Sequence, residues 1–184
     1  YRLRQKADIL TRGAICEALH VPLKLHLLDK VDSTNNYAKT LPDLSLPQLV
    51  VSEEQTAGRG RLGRSFYSPA GKGIYMSFAF CPRLELSQAM LVTTMTAVAV
   101  CRALESLTGL RPKIKWVNDI YLNEKKLCGI LTEAETNFET GEIQKIIVGI
   151  GINCFEDASM PPEIREVATF LDKPQESFDR NALI

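Results

Sequence analysis

Residues 48–81 read QLVVSEEQTAGRGRLGRSFYSPAGKGIYMSFAFC, and they set out the plan of the chain as strand, basic loop, strand. Leu49, Val50 and Val51 give the first part its strand character, and it delivers Gln55 to the edge of the loop. From Gly73 to Cys81 the run is rich in aromatic and apolar residues and reads as the neighbouring strand. The joining segment, Thr56 to Lys72, is longer than a hairpin turn needs, as binding lids commonly are. Within it, Gly58-Arg59-Gly60-Arg61-Leu62-Gly63-Arg64 sets three arginines on a backbone that three glycines leave free to approach an anion. From Gln55 to Leu84 the basic residues are Arg59, Arg61, Arg64, Lys72 and Arg83, with no Asp or Glu among them, so the segment attracts anions locally. It lacks the GKS or GKT ending of a Walker A loop and the GxGxxG rhythm that opens a dinucleotide-binding helix. Taken alone, it also fits a solvated arginine-glycine turn or an RG segment touching RNA phosphates.

Outward from this loop, composition narrows the choice. At 184 residues and 45% hydrophobic content the chain can bury one substantial core, and a single domain over 1–184 is expected. The 22 Lys and Arg balance the 22 Asp and Glu, so the overall charge calls for neither nucleic acid nor an anionic membrane. Cys16, Cys81, Cys101, Cys128 and Cys154 are widely spaced without a CxxC pair, and His20 and His26 are the only histidines. That pattern fits neither a zinc site nor a disulfide framework, and it suggests reduced thiols in a cytoplasmic protein. The longest apolar stretch, Ala89 to Leu107, is broken by Arg102, Glu105 and several Thr, which makes it a buried helix and not a membrane span.

The elements follow from periodicity and punctuation. A helical pattern from about Leu3 to Leu19 stops at Val21-Pro22, and an alternating strand then leads to Asp32-Ser33-Thr34-Asn35. A short helix is expected from Thr34 to Leu41, and a long one from a Ser87 cap to Thr108, ended by Gly109. Strands are read at Lys113–Trp116, Ile120–Leu122, Lys126–Ala134 and Ile143–Ile152, with turns at Asn123-Glu124 and around Gly141. Helices at Pro162–Leu171 and after Asp179 close the chain. This order implies an α+β fold with a mixed, largely antiparallel sheet and helices packed on one face.

Several polar residues stand where a site would need them. Lys125 and Lys126 open a strand, and period-2 geometry sends them to opposite faces, so one of them requires an anion on the covered side. Gly129 removes side-chain bulk, as it does where a ligand approaches a strand. Asn118-Asp119 sits between apolar runs, where the Asp could face Mg²⁺ or a lysine, or simply cap a turn. Asn153 ends the strand carrying Gly149 and Gly151, and its amide could serve an adenine edge or merely close a bend.

GRGRLGR, KWVND, KKLCGIL and GIGIN, in that order, preceded by DSTN and followed by FDRNALI, closely resemble the catalytic domain of biotin protein ligases from about Leu25 to Ile184. The resemblance implies a class II aminoacyl-tRNA synthetase-like fold and an enzyme that makes biotinyl-5'-adenylate from biotin and ATP. The biotinyl group then passes to one lysine of a biotin carboxyl carrier domain belonging to a biotin-dependent carboxylase. It further implies that Ser33, Thr34, Asn35 and Gln55, with backbone at Gly58, Arg59, Gly60 and Arg61, bind biotin. Arg61 and Lys126 would be catalytic, with Lys126 at the biotin carboxylate and α-phosphate and Gly129 beside the ligand. Arg61, Arg64, Phe66, Asn118, Asp119, Lys126 and Asn153 would serve the nucleotide, with Asp119 at Mg²⁺ and Phe66 where the family often has Trp.

Three departures go with the resemblance. Val117 replaces the usual Pro of KWPND, and neither a preceding winged-helix domain nor a following SH3-like domain is seen, so DNA binding is not expected. A homodimer is compatible with the family. The nearest enzymatic alternative is a lipoate or octanoate protein ligase, whose members tend to carry RRxxGGGxVxHD in place of the basic loop. The non-enzymatic alternative is an RG-loop module binding nucleic acid, which would want more aromatics among the arginines than Phe66 and Tyr67.

Overall fold

A computed structural model describes residues 8–42, 45–82, 88–137, 139–140, 142–171 and 179–184. The elements are α1 (Arg12–Ala18), β1 (Lys24–Val31), α2 (Thr34–Thr40), β2 (Gln48–Gln55), β3 (Gly73–Phe80), α3 (Ala89–Thr108), β4 (Lys113–Lys115), β5 (Asp119–Leu122), β6 (Lys125–Thr136), β7 (Ile143–Asn153), α4 (Pro162–Val167) and α5 (Arg180–Leu183). All seven strands join one sheet in the order β1-β2-β3-β7-β6-β5-β4. Only β1 and β2 run parallel, joined through α2; every other neighbouring pair is antiparallel. The mixed, largely antiparallel α+β architecture is therefore the one the order of elements implies. The Ser87 cap and the Gly141 turn lie outside the described residues.

Alternation along the strands divides the sheet into two faces. On one, Leu49, Val51, Ile74, Ile146, Val148 and Ile152 form the main core with Ala97, Val100 and Leu104 of α3 and with Ile15 and Leu183 of α1 and α5. On the other, Val50, Ala79 and Ile147 pack against Ala38 and Leu41. The expectation of helices on one face thus holds for α1, α3 and α5, whereas α2 covers part of the opposite face. Each fully buried Ile or Leu contributes on the order of 1.5–3 kcal/mol. Past Ile147, β7 continues with Gly149 and Gly151 on the α2 side, where there is no large side chain to fill the layer, and that end of the face stays open.

The apolar character of α3 does not translate into burial all round. Leu91, Met95, Val98 and Leu107 are exposed, Met95 at 69%, while Ala97, Val100 and Leu104 meet the sheet. By length and composition alone Leu91–Thr108 would pass for a membrane span, but here the helix lies across the sheet. Gly109 ends it in the left-handed region at φ 71°, donating its N–H to the Glu105 carbonyl at 2.9 Å.

The two ends of the described chain are tied together. Asp179 caps α5 by accepting from the Asn181 N–H, and the Asn181 amide in turn bonds the Thr11 N–H and the Ile9 carbonyl. Arg180, only 1% exposed, is held between the carboxylates of Asp8 and Glu53.

Candidate active site

The open end of the α2 face is a cavity of about 240 Å³, closed above by the basic loop. Its neutral end is built where β1 hands over to α2. Ser33 occupies the N-cap position of α2 without making a side-chain capping bond, and Ser33, Thr34 and Asn35 are all buried. The Thr34 backbone N–H and hydroxyl both donate to Gln55 Oε1, at 2.9 and 3.1 Å. Gln55 Nε2 donates to Ser68 Oγ at 2.9 Å, so neither atom of that amide is left to swing. Asn35 is fixed in the same way: Nδ2 donates to the Leu131 carbonyl (3.3 Å) and to Glu133 Oε2 (2.9 Å), while Oδ1 accepts from the Ser77 hydroxyl at 2.6 Å. Gly149 makes this possible, because a Cβ there would run into the Asn35 amide.

The floor is a pair of facing glycines. Gly129 of β6 lies directly opposite Gly151 of β7, and the Phe66 ring rests where a side chain at Gly151 would otherwise stand. Phe66 is held by its N–H donating to the Gly58 carbonyl at 2.8 Å and by edge-on packing with Tyr75 at 6.4 Å. Tyr75 is anchored in turn, its hydroxyl donating to the Pro69 carbonyl at 3.0 Å.

The cationic end depends on a defect in the β5–β6 ladder. Ile120 pairs with Cys128 and Tyr121 with Lys126, so Leu127 has no partner on β5. This bulge turns Leu127 into the core, where it is fully buried, and brings Lys126 onto the same side as Gly129. Lys126 Nζ then pairs with Asp119 Oδ1 at 2.8 Å. Asn118 Nδ2 donates to Asp119 Oδ1 and to the Ile130 carbonyl, both at 3.1 Å, leaving its Oδ1 to accept from Arg61 Nη1 at 3.1 Å. The bond between Trp116 and Val117, at the place of the usual Pro, is cis.

The basic loop is a hairpin. Arg59 bridges to Ser65, the Gly60 N–H donates to the Arg64 carbonyl at 2.7 Å, and Leu62 (φ 56°) and Gly63 (φ 73°) turn its tip. Leu62, at the tip, is 91% exposed. Arg59 reaches Asn36 Oδ1 at 2.9 Å and Glu133 Oε1 at 3.2 Å, so of the three arginines Arg59 faces the neutral end and Arg61 the cationic end.

Ser33, Thr34, Asn35, Gln55, Arg59, Gly60, Arg61, Arg64, Phe66, Asn118, Asp119, Lys126 and Gly129 all line this one cavity. Gly58 stands just behind it, against Ser68, and Asn153 beyond its end, donating to the Lys126 carbonyl at 3.4 Å. Nothing in the local sequence points to Ser77 or Glu133: a lone Ser inside an aromatic strand and a Glu in an alternating one carry no local signal. As for a metal, no group of three His, Cys, Asp or Glu occurs among the described residues, and Asp119 already faces Lys126. The donor set fits a Mg²⁺ that arrives on a nucleotide's phosphates and meets one carboxylate, not one caged by protein oxygens.

The carboxylates around the cavity respond to pH in a defined direction. Burial pulls the Glu133 pKa up, but hydrogen bonds from Lys39 and Asn35 and the charges of Lys39 and Arg59 outweigh it and hold the group below its ordinary 4.5. Asp32 is also lowered, chiefly by the hydrogen bond from the Asn36 amide. A carboxylate with a depressed folded pKa stabilises the fold fully above its unfolded value and loses that contribution as pH falls through the folded value. Urea midpoints should therefore be flat from pH 7 to 5 and drop below about pH 4.5. Glu133→Gln should show a shallower drop, and an acid limb identical to wild type would exclude Glu133 as a contributor.

Comparison with known proteins agrees with this geometry. Residues 27–153 match the model of the biotin/lipoate A/B protein ligase family. The bifunctional ligase/repressor BirA of Bacillus spizizenii is 37% identical over 191 residues, covering 100% of this chain and 58% of that protein. The chain thus spans little more than half the length of this relative. Among solved structures, the biotin protein ligase of Aquifex aeolicus in complex with biotin and ATP superposes with a TM-score of 0.70 at 36% identity, over 87% of this chain and 65% of that one. The Leishmania major biotin protein ligase with biotinyl-5-AMP gives 0.68 at 28% identity, over 83% and 64%. With its family match running from β1 to the end of β7, through the loop, the glycine floor and the Lys126 strand, the chain belongs to the biotin/lipoate A/B protein ligase family.

Proposed function

We propose that this chain is the catalytic part of an ATP-dependent biotin protein ligase. One observation carries the reading: a single cavity joins a neutral end of fixed hydrogen-bonding groups to a cationic end across a glycine floor. That polarity suits a molecule with an uncharged ureido ring at one end and a carboxylate at the other. Ser33, Thr34, Asn35 and Gln55, with the backbone of Gly58 to Arg61, hold the ureido end. At the other end the carboxylate attacks the α-phosphorus of ATP, forming a P–O bond as the bond to the β-phosphate breaks and pyrophosphate leaves. Lys126 and Arg61 stabilise the charge that gathers on the α-phosphate, Arg64 faces the departing pyrophosphate, and Phe66 flanks the adenine. Asn118 and Asn153 orient the nucleotide, and Asp119 would hold a Mg²⁺ carried on its phosphates, which would supply charge neutralisation there. In the second step a lysine amine of a biotin carboxyl carrier domain attacks the acyl carbon, an amide forms and AMP leaves. The loop keeps water from the mixed anhydride. The setting is cytoplasmic.

ATP–pyrophosphate exchange tests this. Biotin should support it and lipoate should not; exchange with lipoate alone would move the substrate assignment to the other branch of the family. A ligand at about a hundred times its Kd adds roughly 2.7 kcal/mol to unfolding. For a chain of this size that raises Tm by roughly 5 to 10 °C. Biotin should give a smaller rise than a non-hydrolysable adenylate analogue at equal concentration.

A further inference from the structure

We propose that Glu133 is a positioning residue whose single carboxylate couples the basic loop to the neutral end of the cavity, orienting the Asn35 amide while tethering Arg59. Its effect on ligand affinity rests on the reading given above, whereas the tether does not.

Glu133 stands on β6, on the face shared with Gly129, and meets groups from two other parts of the chain. Asn35 Nδ2 of α2 donates to Oε2 at 2.9 Å, and Lys39 Nζ, also of α2, lies 2.8 Å from Oε1. Arg59 Nη1 of the loop lies 3.2 Å from Oε1 and 3.4 Å from Oε2. Reversing the Asn35 amide would set its oxygen against the Glu133 carboxylate and the Leu131 carbonyl, two acceptors with no proton to give, so Glu133, the nearer and the charged one, acts with that carbonyl to exclude that orientation. The allowed one turns Oδ1 to the Ser77 hydroxyl, which also lies 2.7 Å from the Thr34 hydroxyl, the partner of Gln55. The orientation of one amide is thereby passed to the group of hydroxyls that faces the ligand.

Arg59 acts at the other side of the same carboxylate. It is the first bridging residue of the loop hairpin, opposite Ser65, so fixing its guanidinium fixes the base of the hairpin over the cavity. Lys39 balances the carboxylate from α2 whether or not Arg59 is engaged. The charge on Glu133 is therefore never left bare when the loop lifts, and only the Arg59 contact is exchanged.

The full chain with Glu133→Ala, Glu133→Gln, Glu133→Asp and Lys39→Ala separates the two roles. Amide hydrogen exchange over residues 58–65 without ligand reads the tether, and biotin KM and kcat in ATP–pyrophosphate exchange read the amide. Glu133→Ala should speed loop exchange and raise biotin KM, each on the order of tenfold, with kcat within about threefold. Glu133→Gln keeps an oxygen for Asn35 but no charge for Arg59, so loop exchange rises while KM stays within about threefold. Glu133→Asp, too short to reach Asn35, should raise KM, and it carries that arm if Glu133→Ala does not fold. Lys39→Ala should leave both readouts within about twofold. The proposal is overturned if loop exchange in Glu133→Gln matches wild type, if Glu133→Asp leaves biotin KM within twofold, or if Lys39→Ala reproduces the Glu133 effects. Wild-type chain without biotin-dependent exchange would defeat the functional reading instead, and the loop measurement would still decide the tether.

Discussion

Lys126→Ala is expected to remove most biotin-dependent ATP–pyrophosphate exchange while leaving the fold nearly intact. As the carboxylate attacks, charge accumulates on the α-phosphate, and an ammonium fixed at that point is worth more in the transition state than in the ground state. A charge-assisted hydrogen bond of about 1.5–3 kcal/mol corresponds to a rate loss of roughly ten- to more than a hundredfold. Stability should change little. The Lys126–Asp119 pair is partly exposed, at 32% and 23% of the side chains, so it is worth about 0–1 kcal/mol. Asp119 also keeps its hydrogen bond from Asn118 when the lysine is gone. Lys125 is the internal control: its Nζ lies 3.4 Å from the Arg165 carbonyl, outside the cavity, and Lys125→Ala should alter exchange by less than a few-fold. Exchange retained in Lys126→Ala, or lost in Lys125→Ala alone, would sink the assignment.

That control bears on what a sequence can disclose. Alternation correctly separates Lys125 from Lys126, but it also puts Lys125, Leu127 and Gly129 on one face, which would make Lys125 the lysine beside the glycine floor. Only the unpaired Leu127 reverses this, and a bulge of one residue is set by the register against β5, a partner that local pattern does not reveal. The sheet itself was legible because its strands are long, apolar and punctuated: β2 runs from Gln48 to Gln55 as read, and Asn123-Glu124 turns with both residues at positive φ. The resemblance carried by the order of the motifs points to Ser33, Thr34, Gln55 and the arginines, and the fold brings them to one cavity. Residues that act by holding others were not. Ser77, Glu133 and Arg180 matter through partners 42, 98 and 172 residues away in the chain, and no window of sequence brings those together. The exposed side of α3 is illegible for the opposite reason, since a nearly uniform apolar helix shows no stripe from which to judge which side packs.

Arg180→Met is expected to cost about 3–5 kcal/mol of stability, because it strands carboxylates that the fold has taken out of water. Arg180 Nε lies 2.6 Å from Asp8 Oδ2, and Nη1 lies 2.9 Å from Glu53 Oε2 and 2.8 Å from the Gly73 carbonyl. Burial opposes its charge, but the hydrogen bonds and charges of Glu53 and Asp8 outweigh that and raise its pKa, so the guanidinium stays ionised. Methionine fills similar volume, which removes a cavity as the explanation and isolates the electrostatic loss. For a chain of this length the cost corresponds to a fall in Tm of roughly 6 to 20 °C. The double variant Arg180→Met with Asp8→Asn distinguishes the cause. If stranded charge is what hurts, neutralising Asp8, whose side chain is 5% exposed, should recover part of the loss. A double variant no more stable than Arg180→Met would assign the loss to the severed links among α5, the N-terminal segment and the start of β3, and not to the unpaired carboxylate.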